Sequence, residues 1–186
     1  MVENVANRMT LTVLSDREIA VTRVFDAPRS LVFDAMTACE HMERWWGPRG
    51  FTLVECEIDL RPGGAYRFVQ RAPDGGAHPF KGVWREIHPP DRLVFTQIYE
   101  PDADHEVIVT NALSEQDGKT TLTQDLLFDS VEARDGMVAS GMEWGEAQSF
   151  ERLDELLAKL VHGGAVAVAG MTSPSAGLNT RDFDAP

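Results

Sequence analysis

From Arg17 to Phe25 apolar and polar side chains alternate, with Ile19, Val21, Arg23 and Phe25 on one parity and Ala20, Thr22 and Val24 on the other. A period of two rich in β-branched residues predicts a strand. The period then lengthens. Leu31, Val32, Ala35 and Met36 recur at helical spacing, Pro28 suits a first helical turn, and Asp26 offers a capping carboxylate. A second short helix is predicted over Glu40 to Trp46, where Gly47 and Pro48 stop it. From Phe51 to Phe128 runs of alternating or continuous apolar residues are cut by Arg61-Pro62-Gly63-Gly64, Pro73-Asp74-Gly75-Gly76, Pro89-Pro90-Asp91, Pro101-Asp102-Ala103-Asp104 and Gln116-Asp117-Gly118-Lys119. About six strands joined by short turns follow, an antiparallel meander.

Helical spacing returns at Ser130, a natural N-cap, with Gly136 and Gly141 pointing to an interrupted start. From Met142 onward Met142, Gln148, Leu153, Leu156, Leu157 and Leu160 form an apolar stripe, and Glu146, Arg152, Glu155 and Lys159 are assigned to the wet face. Gly163 to Pro186 is poor in large side chains and reads as a loose tail, in which Ala165 to Val168 is the one run that suits a short strand. The expected organisation is an N-terminal lead over 1–16, one domain over 17–162 and a flexible tail over 163–186.

Composition narrows the function classes. The chain has 186 residues, 43% hydrophobic and 25% charged, which suffices for one core without disulfides or a structural metal. Thirty acidic against 17 basic residues give a formal charge of -13, a surface that repels nucleic-acid phosphates and anionic lipid. Cys39 and Cys56 have no zinc-site spacing and are expected to be reduced and partly buried. The five histidines are scattered, so no metal site is expected. No serine nucleophile elbow, phosphate loop or dinucleotide fingerprint occurs, and no cofactor is expected. Without a basic apolar leader or a membrane-length run, a cytoplasmic location is the expectation.

Four motifs in order carry a resemblance: Thr22-Arg23-Val24-Phe25-Asp26-Ala27-Pro28, Arg44-Trp45-Trp46-Gly47-Pro48, Asp59-Leu60-Arg61-Pro62-Gly63-Gly64, and Gly141-Met142 with Phe150-Glu151-Arg152-Leu153. Together they resemble bacterial single-domain members of the heat-shock ATPase activator homologue family, also described as polyketide-cyclase-like, within the START-like (SRPBCC) helix-grip superfamily. The likeness spans about Arg17 to Leu160. It implies an α+β fold, a curved antiparallel sheet of about seven strands with two short helices after strand one, gripping a long C-terminal helix. It also implies a small hydrophobic ligand as partner, with homodimers common among such domains. Related folds serve as carriers, sensors, aromatase/cyclase enzymes and co-chaperone domains, and fold alone does not choose among them.

Strand parity predicts what would line a cavity between such a sheet and helix. Taking the aromatic parity as inward selects Tyr66, Phe68 and Gln70, then Phe80, Trp84 and Glu86, then Phe95, Gln97 and Tyr99, with Asn111 on the following strand and Met142 on the helix. Trp45 joins them from the second short helix, although Trp45 and Trp46 equally suit a core plug, as does any single ring. The expected ligand-binding set is therefore Trp45, Tyr66, Phe68, Phe80, Trp84, Phe95, Gln97, Tyr99, Asn111 and Met142. Glu55, Glu57 and Asp59 are expected outside, near Arg67 and Arg71. Binding of a small hydrophobic or aromatic ligand is the leading reading. An aromatase/cyclase-type enzyme would need Glu86, Tyr99 or Arg49 for proton transfer, and a chaperone ATPase-stimulating domain is the third reading. An inward Glu86 must be paired, solvated or protonated; otherwise it is a strand-end glutamate paired with an arginine.

Overall fold

The computed structural model describes residues 9–169, with side chains as far as Gly163. Eight strands form one antiparallel sheet: β1 (Met9–Ser15), β2 (Glu18–Phe25), β3 (Thr52–Ile58), β4 (Ala65–Arg71), β5 (Ala77–His88), β6 (Arg92–Tyr99), β7 (Val107–Gln116) and β8 (Lys119–Phe128). Their order is β1-β2-β8-β7-β6-β5-β4-β3. The meander from β3 to β8 returns to the chain start by pairing β8 with β2. Two short helices, α1 (Arg29–Thr37) and α2 (Cys39–Trp45), follow β2, and α3 (Val131–Ala139) and α4 (Met142–Ala169) close the chain. Phe150, Leu153, Leu156 and Leu157 of α4 pack into one core with Ile19, Val21 and Phe25 of β2 and Leu122 and Leu126 of β8. This is the helix-grip architecture that the motifs imply.

Several expectations need correction. The sheet has one strand more than predicted, because Met9–Ser15, assigned to the lead, pairs with β2 from Met9↔Arg23 to Ser15↔Glu18. Its outer residues are largely exposed, Val13 and Leu14 among them, so this edge strand lacks the buried face that marks the others. Asp26 does not cap α1. It pairs with Lys119 at 3.1 Å, Pro28 is the N-cap residue, and the Arg29 N–H donates to Glu115 Oε2 of β7 at 2.8 Å. The break at the C-terminal helix is real: Ser130 Oγ accepts from Ala133 N at 3.0 Å to start α3, and Gly141, with φ of +81°, separates α3 from α4. Beyond His162 the backbone stays helical to Ala169, so Ala165 to Val168 is not a strand; the rest of the expected tail lies outside the described residues.

Cys39 and Cys56 are not reduced thiols but a disulfide joining the first residue of α2 to β3. Spacing gave no hint of it, since 17 residues separate them and only the packing of α2 against β3 brings them together. Arg23, an arginine on the inward parity of β2, has no acidic partner in its own sheet. It is 1% exposed and forms an ion pair with Asp154 of α4, which joins sheet to helix in the core.

Candidate functional site

The turn Arg61-Pro62-Gly63-Gly64 builds one wall of the site from backbone chemistry. Gly63 has φ of +82° and the Gly64 N–H donates to Arg61 O at 2.8 Å, the geometry of a type II turn. A Cβ on Gly64 would lie 2.0 Å from Asp59 O, so glycine is required there. The turn then pairs with β5: Gly63 N donates to Trp84 O at 2.8 Å and Trp84 N to Gly64 O at 2.9 Å. This motif fixes the backbone that presents the Trp84 ring.

A cavity of about 250 Å³ lies between the sheet and the helices. Its aromatic wall is Phe68, Phe80, Trp84 and Phe95 from β4, β5 and β6, together with Trp45 and Trp46 from the end of α2 and Phe150 from α4. The rings interlock: Trp46 lies 5.1 Å from Phe68 and 5.3 Å from Phe80, and Trp84 lies 5.1 Å from Phe95. Met36, Met42, Met137 and Met142 supply flexible thioethers at the helical side. Polar groups are few: Gln70, Gln97, Asn111, Gln124, Ser149 and Glu146. Gln124 Nε2 donates to Asn111 Oδ1 at 3.0 Å, which holds that amide pair in place.

Of the residues predicted to form the lining, the structure brings Trp45, Phe68, Phe80, Trp84, Phe95, Gln97, Asn111 and Met142 to the cavity wall. Trp45 is also a core plug, with its Nε1–H donating to Ala35 O at 2.9 Å. Tyr66 shares the inward parity but stands behind the wall, 4.7 Å from the Phe68 ring and 5.1 Å from Trp84. Its hydroxyl donates to Thr96 O at 2.7 Å, and burial raises its pKa. Tyr99 lies at the far end of β6, where its hydroxyl meets His78 Nδ1 at 3.0 Å, and it does not line the cavity.

Glu86 is not inward. A bulge sets Trp84 opposite Phe95 and Glu86 opposite Val94, so one extra residue reverses the parity of β5 beyond Trp84. Ile87 packs on the core in its place, and Glu86 is exposed with Arg92 Nε 3.2 Å away. Arg49 is also outside, with its guanidinium 2.6 Å from Glu155 and 3.5 Å from Glu151 on the wet face of α4. The Arg49 hydrogen bond holds the Glu155 carboxyl below its ordinary range. Glu55 is outside as expected, paired with Arg67, which also reaches Glu100 at 2.7 Å.

Two residues assigned to the wet face of α4 are not there. Arg152 donates to the carbonyls of Gly47 at 2.7 Å and Arg44 at 3.1 Å, clamping the end of α2 onto α4. Glu146 is half-buried on the cavity wall, and no other ionisable side chain lines the cavity among the described residues. Burial alone acts on its carboxyl and pushes its pKa up to about 7. A signal for it was present: Glu146 stands four residues after Met142 and four before Phe150, on the inner face of the helix. A second unmet polar group is the Trp84 indole N–H, which is buried without a hydrogen-bond partner among the described residues.

A curved sheet closed by one long helix over a ring-lined cavity defines a helix-grip protein. Residues 26–158 match the model of the activator of Hsp90 ATPase homolog 1-like protein family, and the chain belongs to that family. Among solved structures it is similar to a protein from Rhodobacter sphaeroides, 28% identical, with 82% of this chain and 99% of that chain covered and a TM-score of 0.76. A protein from Nitrosomonas europaea is 22% identical over 81% of this chain and 99% of its own, with a TM-score of 0.73. An AHSA1-like protein from Aeromonas hydrophila is 18% identical over 87% of this chain and 99% of its own, with a TM-score of 0.58. Comparison with curated proteins finds no match. Among the described residues no helix is long and apolar enough to cross a membrane.

Proposed function

We propose that this protein binds a small, largely apolar ligand in the cavity between sheet and α4. The observation that carries the reading is the cavity itself, about 250 Å³ lined by seven aromatic rings, where a solid core would hold interdigitated side chains with few voids larger than a water molecule. Its size suits a ligand of about one or two rings, below the span usual for drug-sized ligands. The enzyme reading has less support, because Glu86, Tyr99 and Arg49, the residues it needs, do not line the cavity.

Two measurements test the proposal. Native mass spectrometry of protein purified under mild conditions is expected to show a co-purified small molecule. Calorimetric titration with 1-naphthalenemethanol, a neutral probe, is expected to give saturable binding that Val109→Phe removes while its circular dichroism stays native, since Val109 lines the cavity and a ring there fills it. Absence of both a bound molecule and saturable heat at millimolar probe overturns the proposal.

A further inference from the structure

The polar groups of the cavity point to the kind of ligand it takes, an inference that rests on the binding reading above. Glu146 is the one ionisable side chain on the wall among the described residues. Among the described residues no arginine, lysine or histidine offsets its burial. A carboxylate in such a place is costly to ionise unless a positive charge joins it. Aromatic rings line the same cavity, and the negative face of a ring is a surface that a cation meets favourably. The whole chain carries a formal charge of -13, which concentrates cations and repels anions at any opening.

The cavity therefore presents one carboxyl among aromatic rings, thioethers and a few neutral polar side chains. We propose that the ligand is an organic amine bound as its ammonium ion, with Glu146 as counter-ion and its hydrocarbon body against the rings of Trp84, Phe80 and Trp46.

A matched set of probes of one shape tests this: 1-naphthylmethylamine, 1-naphthalenemethanol and 1-naphthoic acid, titrated by calorimetry at pH 8. The amine is expected to bind at least about tenfold more tightly than the alcohol, the gain of one charge-assisted hydrogen bond, and the acid more weakly than both. Glu146→Gln is expected to abolish the preference, so that amine and alcohol bind within about twofold of each other. At pH 7 amine binding is expected to release protons, read as a dependence of the heat on the ionisation enthalpy of the buffer, because binding ionises a carboxyl that is partly protonated when alone. An amine that binds no better than the alcohol overturns the inference and leaves the binding reading standing. A preference that persists in Glu146→Gln also overturns it, since the surface field would then be its source. Failure of all three probes to bind overturns this inference, and where no co-purified molecule is found either, the binding reading falls with it.

Discussion

An ionised Glu146 sits in a largely apolar wall with no cation to offset it among the described residues, so stability depends on its protonation. Its pKa rises from an ordinary 4.5 when unfolded to about 7 when folded. Between these values the folded chain holds more protons than the unfolded one. Its contribution is therefore fully present below about pH 4.5 and is lost as pH rises through 7. Glu146→Gln removes this loss. The variant is expected to match the parent near pH 4.5 and to exceed it at pH 8 by about 2 kcal/mol, less than the full shift implies because the carboxyl is only half-buried. Urea midpoints at the two pH values check it; a variant less stable than the parent at pH 8 would mean that the carboxylate is stabilised. Arg23 shows the opposite case, a buried charge with its partner in place. Asp154→Ala leaves the guanidinium uncompensated and is expected to cost about 3 kcal/mol, whereas Arg23→Met with Asp154→Leu is expected to cost less than either single change.

The elements are held to one another by chemistry that each lacks alone. The Cys39–Cys56 disulfide closes a loop with a sequence separation of 17 and ties α2 to β3. Replacing both cysteines by serine is expected to lower stability by about 3 kcal/mol, read as a lower urea midpoint that reductant no longer changes. A midpoint equal to that of the oxidised parent would show that the bridge contributes nothing. The turn before β4 is the second such link. Gly64→Ala forces a Cβ against the Asp59 carbonyl and breaks the pairing with Trp84. A loss of about 2 kcal/mol or more is expected, with a shift in tryptophan emission as the Trp84 ring moves.

For the molecule as a whole, the dominant long-range term is self-repulsion among 30 acidic and 17 basic residues. Most described ion pairs, such as Arg49–Glu155 and Arg61–Asp59, lie at the surface, where each contributes little. Salt screens the repulsion more than it weakens such pairs. Raising sodium chloride from 0.02 to 0.5 M is expected to raise Tm by about 2–4 °C, the shift that ~1 kcal/mol produces in a domain of this size. A fall in Tm would show that surface pairs outweigh net repulsion. Salt is also expected to weaken binding of 1-naphthylmethylamine while leaving 1-naphthalenemethanol unchanged.

Periodicity and turn chemistry by themselves determined the α+β architecture: the helical spacing from Leu31 to Met36, the Pro62-Gly63-Gly64 turn, and the Ser130 cap with its break at Gly141 all lie where local pattern placed them. These are decided by neighbours a few residues apart, which is what a pattern records. Local parity also carried Phe68, Phe80, Trp84, Phe95 and Gln97 onto one face, since each stands in a regular stretch of strand. It failed at Glu86 because a bulge is the insertion of one residue against a partner strand, and the partner is not visible from within β5. It failed at β1 because an edge strand with exposed apolar residues has no buried face to set a period. The Cys39–Cys56 bond and the Arg23–Asp154 pair join positions far apart in the chain, and only packing brings them within reach. Glu146 belongs to the same class: its spacing from Met142 and Phe150 fixes its position on the helix, but whether that face meets solvent, core or cavity is decided by the space the sheet leaves above the helix.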